Sequence, residues 1–209
     1  MYSVVVFTQL PEYFIMYHEL FRNASFWAFL FSVDEELAEA SRREGCPCGG
    51  RLHRANYPRK PRGGCRNLPE AYGYRLSFCC ERDGCRKRKT PRSVRFLGRK
   101  VYLGAVVVLV SAMRHGPSSR RVRQLSELFR VDERTIVRWR VFWSELFPQT
   151  AFWKVNRGRL APRIDISKLP SGLLIAFIHS GNSQEEWRRL MEFLSPITIT
   201  GGLRIKENS

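Results

Sequence analysis

All six cysteines of the chain fall between Cys46 and Cys85. Thiolates clustered at short spacing are soft anionic ligands, and four of them arranged as a tetrahedron suit zinc. One pair sits in Gly45-Cys46-Pro47-Cys48-Gly49-Gly50, where the glycines let backbone amides point at sulfur. The second group is Phe78-Cys79-Cys80-Glu81-Arg82-Asp83-Gly84-Cys85. Residues 72–80 read as a strand on which Leu76, Phe78 and Cys80 alternate and share one face, which favours Cys80 over Cys79 as the ligand leaving the strand. Cys85 then closes the second turn, with Gly84 permitting it. The expected metal ligands are therefore Cys46, Cys48, Cys80 and Cys85. Cys65 has no paired neighbour, and His53 lies five residues past Cys48; neither receives a role. The zinc is expected to be structural. Residues 45–90 hold few large apolar side chains and need a crosslink to fold, and no general base or open coordination position accompanies the thiols.

Charge surrounds these cysteines unevenly. The formal net charge is +17, yet residues 1–50 carry three Arg against seven acids, a balance of −4. Residues 51–100 carry sixteen Lys plus Arg against Glu70, Glu81 and Asp83, a balance of +13. A concentrated basic block is the electrostatic footprint of a polyphosphate, so double-stranded DNA is the expected partner. Arg51, Arg54, Arg59, Lys60, Arg62 and Arg66 precede the second cysteine group; Arg86, Lys87, Arg88, Lys89, Arg92 and Arg95 follow it. Pro58, Pro61, Gly63 and Gly64 suggest an extended loop that tracks a phosphate backbone. Arg59, Lys60, Arg62 and the run Arg86, Lys87, Arg88, Lys89 are its expected DNA contacts. No membrane partner is expected, because Glu12, His18, Glu19 and Arg22 interrupt the apolar N-terminal stretch, which also lacks a secretory pattern. A cytoplasmic, nucleoid-associated setting follows, in which clustered thiols are metal ligands and not disulfides.

The elements that must position these residues can be read in order. Residues 25–43 form one or two helices, with Phe26, Trp27, Phe29, Leu30 and Phe31 as an apolar patch and Asp34, Glu35 and Glu36 as a cap and acidic first turn. Met16 is a second candidate start, and residues 1–15 show no pattern. Residues 99–113 read as an apolar helix that stops at Arg114-His115-Gly116-Pro117, after which Ser118 or Ser119 caps a second helix through Val122, Leu125 and Phe129. A turn at Phe129-Arg130-Val131 leads to a third helix capped by Asp132. Its inward stripe is Ile136, Trp139, Trp143, Leu146 and Phe147; Arg134, Thr135, Arg138 and Arg140 project from the other side. Phe152, Trp153, Arg157 and Arg159 begin a loop with Pro162 and Pro170. Residues 173–178 are helical, and Ser183-Gln184-Glu185-Glu186 caps a last helix through Trp187, Leu190, Met191, Phe193 and Leu194, a pair expected to pack on the core.

The stretch Gln124-Leu125-Ser126-Glu127-Leu128-Phe129-Arg130-Val131-Asp132-Glu133-Arg134-Thr135-Ile136-Val137-Arg138-Trp139 resembles the homeodomain-like helix-turn-helix of bacterial transposases and their accessory proteins. Arg130 departs from it, standing where that family usually has Gly, so a left-handed conformation there would be strained. A zinc ribbon just before such a module also resembles the DNA-binding half of insertion-sequence transposases. The resemblance covers roughly residues 45–147. It implies that Arg134, Thr135 and Arg138 reach base edges in the major groove while the preceding helix crosses the backbone; Arg140, Arg120 and Arg121 are further expected DNA contacts.

The fold class expected is mainly α with a small β zinc ribbon. Its parts are an N-terminal helical segment (1–44), a basic zinc ribbon (45–97), a trihelical helix-turn-helix domain (98–149) and a C-terminal helical pair (150–209). A full transposase needs three carboxylates around two metal ions. After the third helix only Glu145, Asp165, Glu185, Glu186, Glu192 and Glu207 remain, at short spacings and without alternating strands and helices. The expectation is thus a non-catalytic, sequence-specific DNA-binding protein. As a transposon-encoded accessory or detached DNA-binding half it would bind element ends and recruit a separate catalytic transposase subunit; as a transcriptional regulator with the same modules it would act on an operator as a homodimer.

Overall fold

The structure, a computed structural model, describes residues 23–63, 68–97, 102–111, 122–123, 126–127, 129–160, 164–179 and 184–199. The fold is mostly helical, with a small antiparallel sheet of very short strands. Cys65, Arg66, Arg120, Arg121, Ser183 and the expected caps Ser118 and Ser119 lie outside the described residues.

Helix α1 (Ala24–Arg43) is one continuous helix, capped by Asn23, whose side chain accepts from the Ser25 amide at 2.8 Å. Arg42 and Arg43 oppose the negative end of its dipole, and Gly45 turns the chain away at φ 70°. The expected second cap at Asp34 is absent. Asp34 sits mid-helix and fully buried, because groups distant in sequence compete for its carboxylate: Ser93 Oγ and the Val94 amide at 2.6 Å each, and Arg95 Nε at 2.8 Å. Arg95, expected on the phosphate-facing loop, is correspondingly inside. Its guanidinium also donates to the Ala71 and Tyr74 carbonyls and lies among the rings of Phe31, Tyr72 and Phe96.

The strand expected over 72–80 divides. A 3-10 turn, Glu70–Gly73, is followed by β3 (Tyr74–Arg75), which pairs with β2 (Tyr57–Pro58). Beyond it β4 (Phe78–Cys80) lies between β1 (Leu52–Arg54) and β5 (Arg88–Lys89) in a separate sheet. The switch occurs at Ser77, whose amide is taken by Asn56 Oδ1 at 3.1 Å and whose carbonyl accepts from Ala55 at 2.8 Å.

Helix α2 (Gly104–Ser111) is shorter at its start than the expected span, since Tyr102 and Leu103 are in extended bridges to Arg62 and Phe96. Phe129 ends a helical stretch, and Arg130 adopts φ 50° before Val131, whose amide closes the turn on Ser126 O at 3.1 Å. A β-carbon costs about 1–2 kcal/mol in that left-handed conformation. Arg130→Gly should therefore raise stability by about 0.5–1 kcal/mol after glycine's larger unfolded-state freedom is subtracted. A denaturation midpoint that falls would show that the turn is not strained.

Asp132 caps α3 (Glu133–Val141), accepting from the Arg134 amide at 2.9 Å. Ile136, Trp139, Trp143 and Phe147 point inward, but Leu146 is 43% exposed. The cause is a π turn at Phe142–Leu146, closed by Phe147 N–H on Phe142 O. One wider turn advances the inward phase by a residue, so Phe147 takes the place that Leu146 would hold on a regular helix.

The loop expected after residue 150 is instead helix α4 (Ala151–Leu160), started by Thr150 Oγ1, which accepts from the Trp153 amide at 3.2 Å. Helices α5 (Ser171–Phe177) and α6 (Gln184–Leu194) follow, then a 3-10 turn at Ser195–Thr198, and α6 packs on α1 and α2 through Trp187, Leu190 and Met191. The larger apolar core draws on Phe26, Trp27 and Leu30 of α1, on Tyr72, Val94 and Phe96, on α2 and α3, and on Trp153, Trp187 and Ile197. A second, much smaller core holds Ala38, Cys46, Leu52, Leu76, Phe78 and Cys80. No described helix is long and apolar enough to cross a membrane.

Candidate metal centre

The small core is built around sulfur. Register places Leu52 opposite Cys80 and His53 opposite Cys79, so the turn that precedes β1 and the turn that follows β4 emerge at the same end of the sheet. Cys46 and Cys48 lie in the first turn, which is closed by Cys46 N–H on Gly50 O and Gly49 N–H on Cys46 O. Cys80 ends β4, and Cys85 lies in the second turn, its amide on Arg82 O at 3.1 Å. All four sulfurs fall within 4.8 Å of one another. Cys46 and Cys85 are 3.7 Å apart and Cys48 and Cys80 3.5 Å. Four sulfurs about 2.3 Å from a central ion in a tetrahedron stand about 3.8 Å apart, whereas a disulfide closes to about 2.05 Å. The cluster has ligand spacing, and Cys46, Cys48, Cys80 and Cys85 could hold a metal ion.

The backbone is shaped for anionic sulfur. Cys46, Cys48 and Cys80 each accept an amide from the residue two positions on: Cys48, Gly50 and Arg82 respectively. Gly50 is required by contact. A β-carbon there would lie 2.6 Å from Cys80 Sγ and 3.4 Å from Cys48 Sγ, inside the cluster. The charge is unevenly shared. The Gly50 amide, then the Cys85, Cys46 and Cys80 thiols, bring Cys48 down to about 6. At Cys80 the Arg82 amide pulls downward, but burial and the neighbouring sulfurs win and push it up to about 12. Cys46 is also raised: its amide bond from Cys48 is outweighed by burial and by the Cys48 and Cys85 thiols. Burial and the neighbouring sulfurs thus oppose ionisation of Cys46 and Cys80, and a dication at the centre of the cluster would remove that conflict.

Cys79 faces the opposite side of β4, its Sγ 3.4 Å from the Arg86 carbonyl, and stays outside the cluster. His53 is also outside. Its Nε2 meets Glu81 Oε2 at 2.8 Å, and that bond, followed by the Arg51 amide, holds the Glu81 carboxyl below its ordinary range. The pair ties β1 to the second turn, a cross-chain contact that sequence spacing does not reveal.

Several basic residues near the centre have internal duties. Lys89 was expected on phosphate, but its ammonium bonds Ser41 O at 3.1 Å, Glu44 Oε2 at 2.8 Å and Gly45 O at 3.3 Å. It thereby fastens the end of α1 to the first cysteine turn, and its proximity holds the Glu44 carboxyl below the usual range. Arg88 donates to Ala55 O and Ser77 Oγ, and its guanidinium and that of Arg59 each lie 5.5 Å from the centre of the Tyr57 ring. Arg86 pairs with Asp83 at 2.6 Å; Lys87, Lys60 and Arg62 are exposed.

On α3, Arg134, Arg138 and Arg140 are exposed. Thr135 is not: at 8% exposure it faces inward with Ile136, a correction to the expected base-reading set. Helical phase explains it, because Thr135 lies one position from Ile136 and four from Trp139, both of them core residues. Among the described residues, the carboxylates considered for catalysis form no metal-holding group. Asp165 pairs with Lys168, Glu185 with Arg189 and Glu192 with Arg188.

No protein-family model, curated protein or solved structure matches the chain.

Proposed function

We propose that the protein is a non-catalytic, sequence-specific binder of double-stranded DNA, in which a structural zinc ion on Cys46, Cys48, Cys80 and Cys85 folds a basic ribbon beside a reading helix, α3. Zinc is favoured by the donor set. Four thiolates without an open position match its structural sites, and harder cations prefer oxygen. The ion's contribution is to crosslink a sheet whose own core is too small to fold it.

The observation that carries the DNA reading is how the basic loop meets the turn before α3. A β-carbon on Gly63 would lie 3.6 Å from Val106, 3.7 Å from Val131 and 3.8 Å from Trp139, and Leu103 N–H bonds Arg62 O at 3.1 Å. Gly63, which follows exposed Arg62, is thereby held against Val131, which follows exposed Arg130, at the end of α3 that carries Arg134. Loop cations suit phosphate, and helix arginines one turn apart suit the base edges of a major groove. In this arrangement the ribbon sets register while Arg134 and Arg138 read.

By its resemblance to insertion-sequence transposases, the protein binds element ends and recruits a separate catalytic subunit. Selection from random duplexes, with and without zinc, tests the DNA reading directly. Arg138→Ala should then lower discrimination between the selected site and unrelated duplex by about 1–3 kcal/mol. An equal loss on every sequence would move Arg138 to the phosphates, and selection that enriches nothing would end the DNA reading.

A further inference from the structure

The outward stripe of α3 is Arg134, Val137, Arg138 and Val141, at i, i+3, i+4 and i+7. Those spacings put all four side chains on one side of the helix, opposite Ile136 and Trp139. Val137 is 52% exposed and Val141 39%. Water gives no reason for this choice. Valine is a poor helix former, and an exposed helix face normally takes Lys, Glu or Gln. No core explains it either, since the inward face of α3 is already filled by Thr135, Ile136 and Trp139. Two β-branched residues interleaved with two arginines break a local rule at the surface, and such breaks mark places where a partner supplies the missing contact.

The surrounding charge identifies that partner's chemistry. Arg134, Arg138 and Arg140 lie within one turn of the valines, with Glu133 one turn before Val137 and Glu145 four residues after Val141, at the two ends of the stripe. An apolar protein helix would have to bury this cationic flank against its own surface. A major groove meets both demands, because phosphates and guanine O6 and N7 take the arginines and the thymine C5 methyl takes an apolar side chain. The stripe from Arg134 to Val141 rises about 10.5 Å, close to the length of three base pairs.

We propose that Val137 and Val141 are specificity-determining residues that read thymine methyl groups, so that the recognised subsite alternates guanine and thymine over about three to four base pairs. This rests on the DNA reading above and adds to it the identity of the bases. The test replaces each thymine of the selected duplex, one at a time, by deoxyuridine, which lacks only the methyl group. Wild-type protein should lose about three- to fivefold in affinity at one or two thymines, the value of one buried methyl. Val137→Ala should abolish that penalty at one position and Val141→Ala at another, while both variants keep the salt dependence of binding. Unchanged affinity at every uracil position, with arginine-dependent binding intact, would overturn the assignment. So would valine variants that weaken thymine and uracil duplexes alike. Absence of any duplex binding would instead remove the DNA reading on which the assignment stands.

Discussion

Cys80→Ser is expected to abolish stoichiometric metal binding, whereas Cys79→Ser, one residue away, should leave one ion per chain. The two side chains leave β4 on opposite faces, and only Cys80 Sγ lies within the four-sulfur cluster. Cys80 is also the least replaceable sulfur, being buried between Gly50 and Cys48. Apparent metal-binding free energies of about 10–16 kcal/mol are typical where site formation and folding are one event. Loss of the ion should therefore melt the sheet, not merely loosen it. The two apolar cores localise the effect. Residues near 44–58 and 76–90 depend on the small sulfur-centred core, whereas Val94 and Phe96 belong to the large one and Arg95 is held by Asp34. Hydrogen exchange after chelation should show protection lost in β1, β4 and β5 and retained in α1, α3 and α6. Equal metal content in the two serine variants, or unchanged exchange in the sheet after chelation, would refute this account.

The second large effect concerns Asp34. Arg95 is fully buried with it, Nε to Oδ2 at 2.8 Å, and Arg75 Nη1 lies 3.8 Å from the same oxygen. Burial pushes the Arg75 guanidinium below its ordinary value, and Asp34 opposes that displacement. Asp34→Ala strands both cations without water or counter-charge and also frees the Ser93 hydroxyl and the Val94 amide. Removing one partner of a buried pair costs about 3–5 kcal/mol, a large part of the stability of a domain this size. Denaturant unfolding of Asp34→Ala, with metal bound throughout, should show a loss of that order. A change under about 1 kcal/mol would mean that water reaches the arginines or that they are paired elsewhere.

Much of the metal centre was legible because it depends on local rules. Alternation along 76–80 separates Cys80 from Cys79, and turn glycines mark where amides approach sulfur; the four thiols singled out in this way are the four that converge. Asp132 as a cap was legible for the same reason, since it concerns a bond two residues along the chain; Arg130 stood out only as the residue in place of the resembled family's Gly, and its φ of 50° belongs to the folded turn. The failures share an opposite cause. Asp34 looked like a cap and Arg95 like a phosphate contact because each has the local company of that role, yet they are sixty-one residues apart in sequence and bonded to each other. Lys89 lies within a run of four cations and serves α1 instead. Leu146 went astray because one π turn changes the helical phase, a change that no periodicity anticipates.

By itself, the sequence determined which residue types are available and where the chain must turn: the thiol set, the basic excess, the Asp132 cap and the heavily aromatic core. Only the tertiary structure decided which charges face water. Arg75 and Arg95 vanish into the core, Lys89 becomes a clasp, and Arg134 and Arg138 stay outside beside two exposed valines. The reason is that a long cationic side chain can satisfy itself on carbonyls, carboxylates or rings brought from anywhere in the chain, and those partners exist only once the fold has assembled them.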